Sequence, residues 1–223
     1  MYYQITFTLN KEIRGRYEMP HTVKLCSKTF LNYVAEKCRN ISMYFANKQS
    51  LYDNMPNGIV GHLLKRKDYI DIMDFTPACL SLKAVVSGKV KKIFEDLQVN
   101  KTEYILKELT IKGIESKFYL LFVPIIRDTE FVYPKCEFVD MSDDSKKKVY
   151  QNRQEYYNDT ETYFLKNVTL DAKYQSFDIL YPQGMDVFFT ERIINAFEKE
   201  GITGYDIIKG GCFYNKIEFY TME

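Results

Sequence analysis

The chain has 223 residues, enough to bury a sizeable core in one or two domains. Its 46% hydrophobic and 27% charged residues exclude general disorder. Lys and Arg total 31 against 30 Asp and Glu, a net charge of +1, which gives no electrostatic reason to expect a nucleic-acid or membrane-surface partner.

Residues 2–9 alternate with period two, with Tyr3, Ile5, Phe7 and Leu9 on one face, and read as a strand. A polar stretch broken by Gly15 and Pro20 follows. From Ser27, a candidate N-cap, the apolar residues Phe30, Val34, Cys38, Ile41 and Phe45 fall close to helical spacing, although Asn40 and Asn47 interrupt the run. Residues 50–62 carry Pro56, Asn57-Gly58 and Gly61, which is turn chemistry. Asp68, Asp71 and Asp74 are spaced by three, so in a helix they would form a solvated acidic face.

The clearest signal begins at Leu82. Ala84-Val85-Val86 reads as a strand and Ser87 as a helix N-cap. Val90, Ile93, Phe94 and Leu97 then mark one apolar helix face. Residues 103–109 and 117–123 read as two further strands, joined through Gly113. Near the C-terminus the plan recurs. Residues 186–189 read as a strand, Thr190 as a cap, and Ile193, Ile194 and Phe197 as a helix face. Gly201 stands where a helix-terminating glycine belongs, and strands follow at 205–208 and 216–220 around Gly210-Gly211. The two stretches align without a gap, Ser87 on Thr190, Val90 on Ile193, Phe94 on Phe197, Glu95 on Glu198 and Val99 on Ile202.

Between the copies lies a polar, aromatic insert. Asp143-Asp144 preceding Lys146-Lys147-Lys148 suits a short helix by its dipole, and residues 164–170 and 177–180 read as short strands. The expected class is α+β, with short strands and two repeated strand-helix-strand-strand units. The chain forms one domain over 1–223, or two packed halves, 1–135 and 136–223.

The N-terminus carries no basic region followed by an apolar stretch and a small-residue cleavage site. The longest apolar run, Phe118 to Ile126, is far short of the ~20 residues that a membrane span needs. Five cysteines (26, 38, 79, 136 and 212) at wide spacing fit reduced thiols in a cytoplasmic protein better than a secreted disulfide framework.

The motifs of metal, phosphate and nucleophile chemistry are missing. His21 and His62 are the only histidines, and no Cys-x-x-Cys, His-x-x-x-His, Gly-x-Ser-x-Gly or glycine-rich phosphate loop occurs. Gly201-Ile202-Thr203-Gly204 follows a helix instead of preceding one, and a helix C-terminus presents carbonyls, which repel phosphate. Lys89, Lys91 and Lys92 are answered by Glu95 and Asp96. No catalytic, cofactor-binding or metal-ligating residue is assigned, and no cofactor is expected. Five Cys and two His allow a Cys–His pair on paper, and abundant Asp and Glu allow a carboxylate pair; no motif selects either.

Residues 187–205, Val-Phe-Phe-Thr-Glu-Arg-Ile-Ile-Asn-Ala-Phe-Glu-Lys-Glu-Gly-Ile-Thr-Gly-Tyr, resemble the ending of a family of bacterial immunity proteins from polymorphic-toxin systems, formerly a domain of unknown function. The stretch from Val85-Val86-Ser87 to Lys117-Phe118-Tyr119-Leu120-Leu121 resembles the middle of that family, as does the Asp74 region leading into it. The resemblance spans about residues 68–126 and 160–220. It implies a non-enzymatic cytoplasmic protein that binds and neutralises a cognate toxin protein, with no catalytic residues to carry over and a contact surface that varies with the toxin. The alternative is an enzyme with an unrecognised carboxylate- or Cys-based site. The 19 Tyr and 16 Phe suit an aromatic interface or a strand-rich core. Tyr150, Tyr156 and Tyr157, in the polar insert, are the candidate partner-binding residues.

Overall fold

Tyr2–Phe7 forms β1, Lys11–Arg14 a single turn α1, and Thr22–Leu25 β2. Helices α2 (Lys28–Cys38) and α3 (Ile41–Asp53) follow, then β3 (Ile59–Leu63), β4 (Ile72–Thr76), β5 (Leu82–Ser87) and α4 (Gly88–Asp96). The central part holds β6 (Ile105–Ile111), β7 (Phe118–Phe122), β8 (Glu137–Asp140), β9 (Lys147–Lys148), α5 (Arg153–Asn158) and β10 (Tyr163–Asp171). The chain closes with β11 (Ile179–Leu180), β12 (Phe188–Thr190), α6 (Glu191–Lys199), β13 (Tyr205–Ile207) and β14 (Lys216–Tyr220). This computed structural model describes residues 1–8, 10–14, 20–64, 68–140, 142–143, 145–210 and 214–221; Leu9, Gly15, Asp144, Gly211 and Cys212 lie outside them. The class is α+β.

The chain divides into two compact units. One comprises Met1–Ile5, Ile125–Glu191 and Ile207–Glu223, the other Thr6–Pro124 and Arg192–Asp206. The units are thus interleaved and do not follow a division at 135/136. Helix α6 joins the unit built from the N-terminal half because its apolar face is used there: Phe197 stacks on Phe94 with ring centroids 6.2 Å apart.

The larger unit holds a closed six-stranded barrel in the order β2-β3-β6-β7-β5-β4. Closure leaves these strands no free edge. Pairs β2–β4 and β3–β6 are parallel and the remaining four antiparallel. All five β7 residues, Phe-Tyr-Leu-Leu-Phe, are buried, as expected of a strand inside a core. Helices α2 and α3 bury Phe30, Val34, Cys38, Tyr44 and Leu51. Phe30 and Tyr52 both set ring edges against Phe122 of β7, at 6.5 and 6.3 Å. The Tyr52 hydroxyl joins Tyr44 (2.8 Å) to Ser81 (2.9 Å) and leaves no polar tip stranded.

The apolar run from Phe30 to Phe45 is two helices, not one. Asn40 adopts an extended conformation (φ −143°, ψ 171°), and its side chain accepts the Met43 N–H at 2.9 Å, which caps α3 and ends the run of α2. Ser27 precedes α2 but makes no side-chain cap. Its hydroxyl accepts the Val60 N–H at 2.7 Å and donates to the Gly58 carbonyl instead. The turn expected over 50–62 is narrower, because α3 runs on to Asp53 and β3 already holds Gly61 and His62.

Asp68, Asp71 and Asp74 do not share a helix face. The segment is extended: Asp68 is exposed, Asp74 lies within β4, and Asp71 is buried at 7% exposure. Asp71 is the hub of a tertiary network. Its Oδ1 accepts the Ser87 hydroxyl at 2.7 Å, and its Oδ2 accepts both the N–H and the hydroxyl of Thr203 at 3.1 Å. Ser87 therefore donates to a carboxylate and does not cap α4, whose first N–H is satisfied by the Lys117 carbonyl.

The strand-helix-strand-strand order recurs, yet its strand pairing does not. In the first copy β5 and β6 both pair antiparallel with β7. In the second, β12 pairs with β1 and β11, whereas β14 runs parallel to β10. What recurs faithfully is the helix and its end. Val99 N–H reaches the Phe94 carbonyl and Ile202 N–H the Phe197 carbonyl, both at 2.9 Å, with Gln98 (φ 53°) and Gly201 (φ 62°) in the left-handed conformation that this closure requires. The Gly-Ile-Thr-Gly run is explained residue by residue. Gly201 ends the helix, Ile202 is buried and Thr203 binds Asp71. Gly204 (φ 102°) lies where a Cβ would come within 2.1 Å of the Ile72 carbonyl oxygen.

The smaller unit holds a sheet in the order β14-β10-β8-β9, with a bulge between Leu165 and Asn167, together with the antiparallel set β11-β12-β1. Its core gathers Tyr133, Phe138, Tyr150, Val168, Leu170 and Phe188 with smaller neighbours. Lys147 and Lys148 form β9, paired antiparallel with β8, and so stand in a strand and not in a helix. Asp140 and Asp143 each fold back on the N–H and hydroxyl of the serine two residues on, which sets turns in place of a helical first turn.

Candidate partner-binding surface

The three candidate tyrosines lie on or just before α5. Asn152 caps this short helix by accepting the Glu155 N–H at 3.0 Å, while Glu155 reaches back to the Gln151 N–H at 2.7 Å, a reciprocal arrangement much like a capping box. The helix is pinned to the sheet by its aromatics. Tyr150 is 1% exposed, its ring edge-on to Phe138 at 4.9 Å. It is a core residue, which corrects its place among surface candidates. A polar tip did not keep it outside because the hydroxyl has a partner, Asp159 Oδ2 at 2.6 Å. Tyr156 is half-buried; its ring packs 4.8 Å from Phe138 and its hydroxyl donates to the Tyr163 carbonyl.

Only Tyr157 is exposed, at 53%. Its hydroxyl donates to Asp128 Oδ2 at 2.6 Å, and Arg153 Nε donates to the same oxygen at 3.0 Å. The Arg153 guanidinium lies 4.6 Å from the Tyr157 ring centroid, close enough for cation–π attraction. Asp128 itself is 4% exposed, and its Oδ1 has no hydrogen-bond partner among the described residues. Burial, then the bond to Asp128, pushes the Tyr157 phenol above its ordinary value. At the other end of α5, hydrogen bonds from Lys148 and then Tyr150 hold the Asp159 carboxyl down at about 2.

The arrangement is a braced pair, an aromatic ring and a guanidinium fixed from below by one carboxylate. Ordering these side chains in advance removes part of the entropy lost when a partner docks. Sequence reasoning reached Tyr157 but missed Arg153 and Asp128. Nothing local marks Asp128, which belongs to a 3-10 turn (Asp128–Glu130) far upstream of α5. The basic run on α4 is paired throughout: Lys91 with Glu95 at 3.4 Å, Lys92 with Asp96 at 3.7 Å and Lys89 with Asp71 at 3.9 Å. Among the described residues no three His, Cys, Asp or Glu gather as a metal site, and no helix is long and apolar enough to cross a membrane.

No family model matches this chain, and no curated protein matches it either.

Proposed function

We propose that this chain is a non-enzymatic immunity protein that neutralises a cognate bacterial toxin in the cytoplasm by forming a stoichiometric complex. The reading is supported by the resemblance over residues 68–126 and 160–220. The observation that carries it is the Tyr157–Arg153 pair, exposed yet held in place by buried Asp128. Tyr and Arg are the residue types that most often dominate binding energy at protein interfaces. A protective complex buries on the order of 1,200–2,000 Å².

The test is co-expression with the product of a neighbouring gene that encodes a large secreted toxin, followed by co-purification and titration. The expected result is protection at a 1:1 ratio with the toxin chemically unchanged, and loss of about 2 kcal/mol of affinity in Tyr157→Ala. Protection at substoichiometric protein, or a covalently altered toxin, would overturn the reading in favour of an enzyme.

A further inference from the structure

Cys26 and His62 stand far apart in sequence and meet in the barrel. Strands β2 and β3 pair in a register that sets Lys24 opposite His62, and the Cys26 N–H is held by the Val60 carbonyl at 2.8 Å. This places Cys26 Sγ 3.2 Å from His62 Nδ1. Both side chains are half-buried. Cys26 also immediately precedes the N-cap of α2, an eleven-residue helix whose first turn carries no acid. The cap residue Ser27 spends its hydroxyl on Gly58 and Val60, so it does not cap that helix. The nearby side-chain charges on β2 and α2, Lys24 and Lys28, are both positive. An imidazole within hydrogen-bond reach is the base that a cysteine nucleophile requires. No imidazole is recorded against the other described thiols. Burial pushes Cys38 up, Cys79 to about 12 and Cys136 to about 11.

We propose that Cys26 is a nucleophilic thiol with His62 as its base, and that it takes small uncharged electrophiles, of which hydrogen peroxide is the probe. With His62 in its Nε2–H tautomer, Nδ1 accepts the thiol proton. The thiolate sulfur attacks one peroxide oxygen; the S–O bond forms as the O–O bond breaks. The departing hydroxide takes the proton back from the imidazolium and leaves as water. Sulfur loses two electrons, the peroxide gains them, and Cys26 becomes a sulfenic acid. In the resting thiol the S–H has two acceptors within reach, the Lys24 carbonyl at 3.4 Å and His62 Nδ1 at 3.2 Å, and only the imidazole can take the proton away.

The experiment treats the reduced full chain with hydrogen peroxide at neutral pH, traps sulfenic acid with dimedone and maps the adduct by mass spectrometry. Iodoacetamide rates are measured in parallel. Cys79 is the internal reference, since it too is half-buried. Expected are labelling of Cys26 at least about tenfold faster than Cys79, and a loss of about tenfold at Cys26 alone in His62→Gln, with thermal stability and the Cys79 rate unchanged. Equal rates at Cys26 and Cys79 in the unmutated protein would overturn the proposal without recourse to any variant. So would an unaltered Cys26 rate in folded His62→Gln.

Discussion

Asp71 accepts the Ser87 hydroxyl at 2.7 Å while the Ser87 N–H donates to the Asp71 carbonyl at 2.8 Å, so the two residues are doubly joined. Asp178 and Thr190 repeat the relationship, with the hydroxyl at 2.8 Å and the backbone bond at 2.9 Å. Each aspartate immediately precedes a strand, and each hydroxyl residue ends the strand antiparallel to it and leads into a helix. The repeat is therefore built around an aspartate, a strand pair and a helix entrance, and not around the two strands that follow.

Removing the Asp71 carboxylate leaves a buried serine hydroxyl and the Thr203 N–H without acceptors. Asp71→Ala should cost about 3 kcal/mol, and Ser87→Ala about 1–2 kcal/mol, in denaturant melts. A cost below about 1 kcal/mol for Asp71→Ala would mean that the network adds little.

Phe94 and Phe197 are both buried to 1% exposure or less, and their rings stack. Phe94→Ala and Phe197→Ala should each cost about 3–5 kcal/mol, the range for emptying a buried aromatic site. The double mutant should fall short of the sum by about 0.5–1.5 kcal/mol. Strict additivity would deny the ring contact.

The two equivalent helix ends predict effects of opposite sign. Gly201→Ala should destabilise by about 1–2 kcal/mol, because a Cβ is unfavourable at φ 62°. Gln98→Gly, at φ 53°, should relieve the same strain and stabilise by about 0.5 kcal/mol after the added freedom of the unfolded glycine is counted. Thermal melts of both variants check the pair.

The Asp159 carboxyl should titrate near about 2 in a carbon-detected NMR experiment, well below the ~3.9 of a free aspartate. Its folded value is depressed, so its contribution to stability is present above the unfolded value and is lost as pH falls through the folded one. Lys148→Met should move the midpoint up, since the Lys148 hydrogen bond is the largest cause of the shift. A midpoint unmoved by that change would show Lys148 to be idle.

Much of this protein was legible in its sequence. Val90, Ile93 and Phe94, with Ile193, Ile194 and Phe197, were readable as buried helix faces because helical periodicity is a local property of the chain, and each is buried. The glycine stop at 201 was readable for the same reason: few residues tolerate a left-handed backbone. The α+β class followed from such local signals alone.

Tertiary structure decided the rest, and in each case through a partner distant in sequence. Asp71 is exposed or buried according to whether Ser87 and Thr203 arrive to bond it, and no spacing rule around residue 71 reports that. Tyr150 became core once Asp159 supplied a partner for its hydroxyl, whereas Tyr157 stayed at the surface above Asp128. Strands at 205–208 and 216–220 could be read from the chain, and the structure holds β13 over Tyr205–Ile207 and β14 over Lys216–Tyr220, but their neighbours could not, because an edge hydrogen-bonds to whichever strand the fold delivers. Cys26 and His62 show the same limit. Their separation in sequence conceals a contact that only the β2–β3 register makes. Periodicity and backbone sterics act within a few residues, while hydrogen bonds and ion pairs are indifferent to sequence distance, so elements can be read from a chain before its sites can.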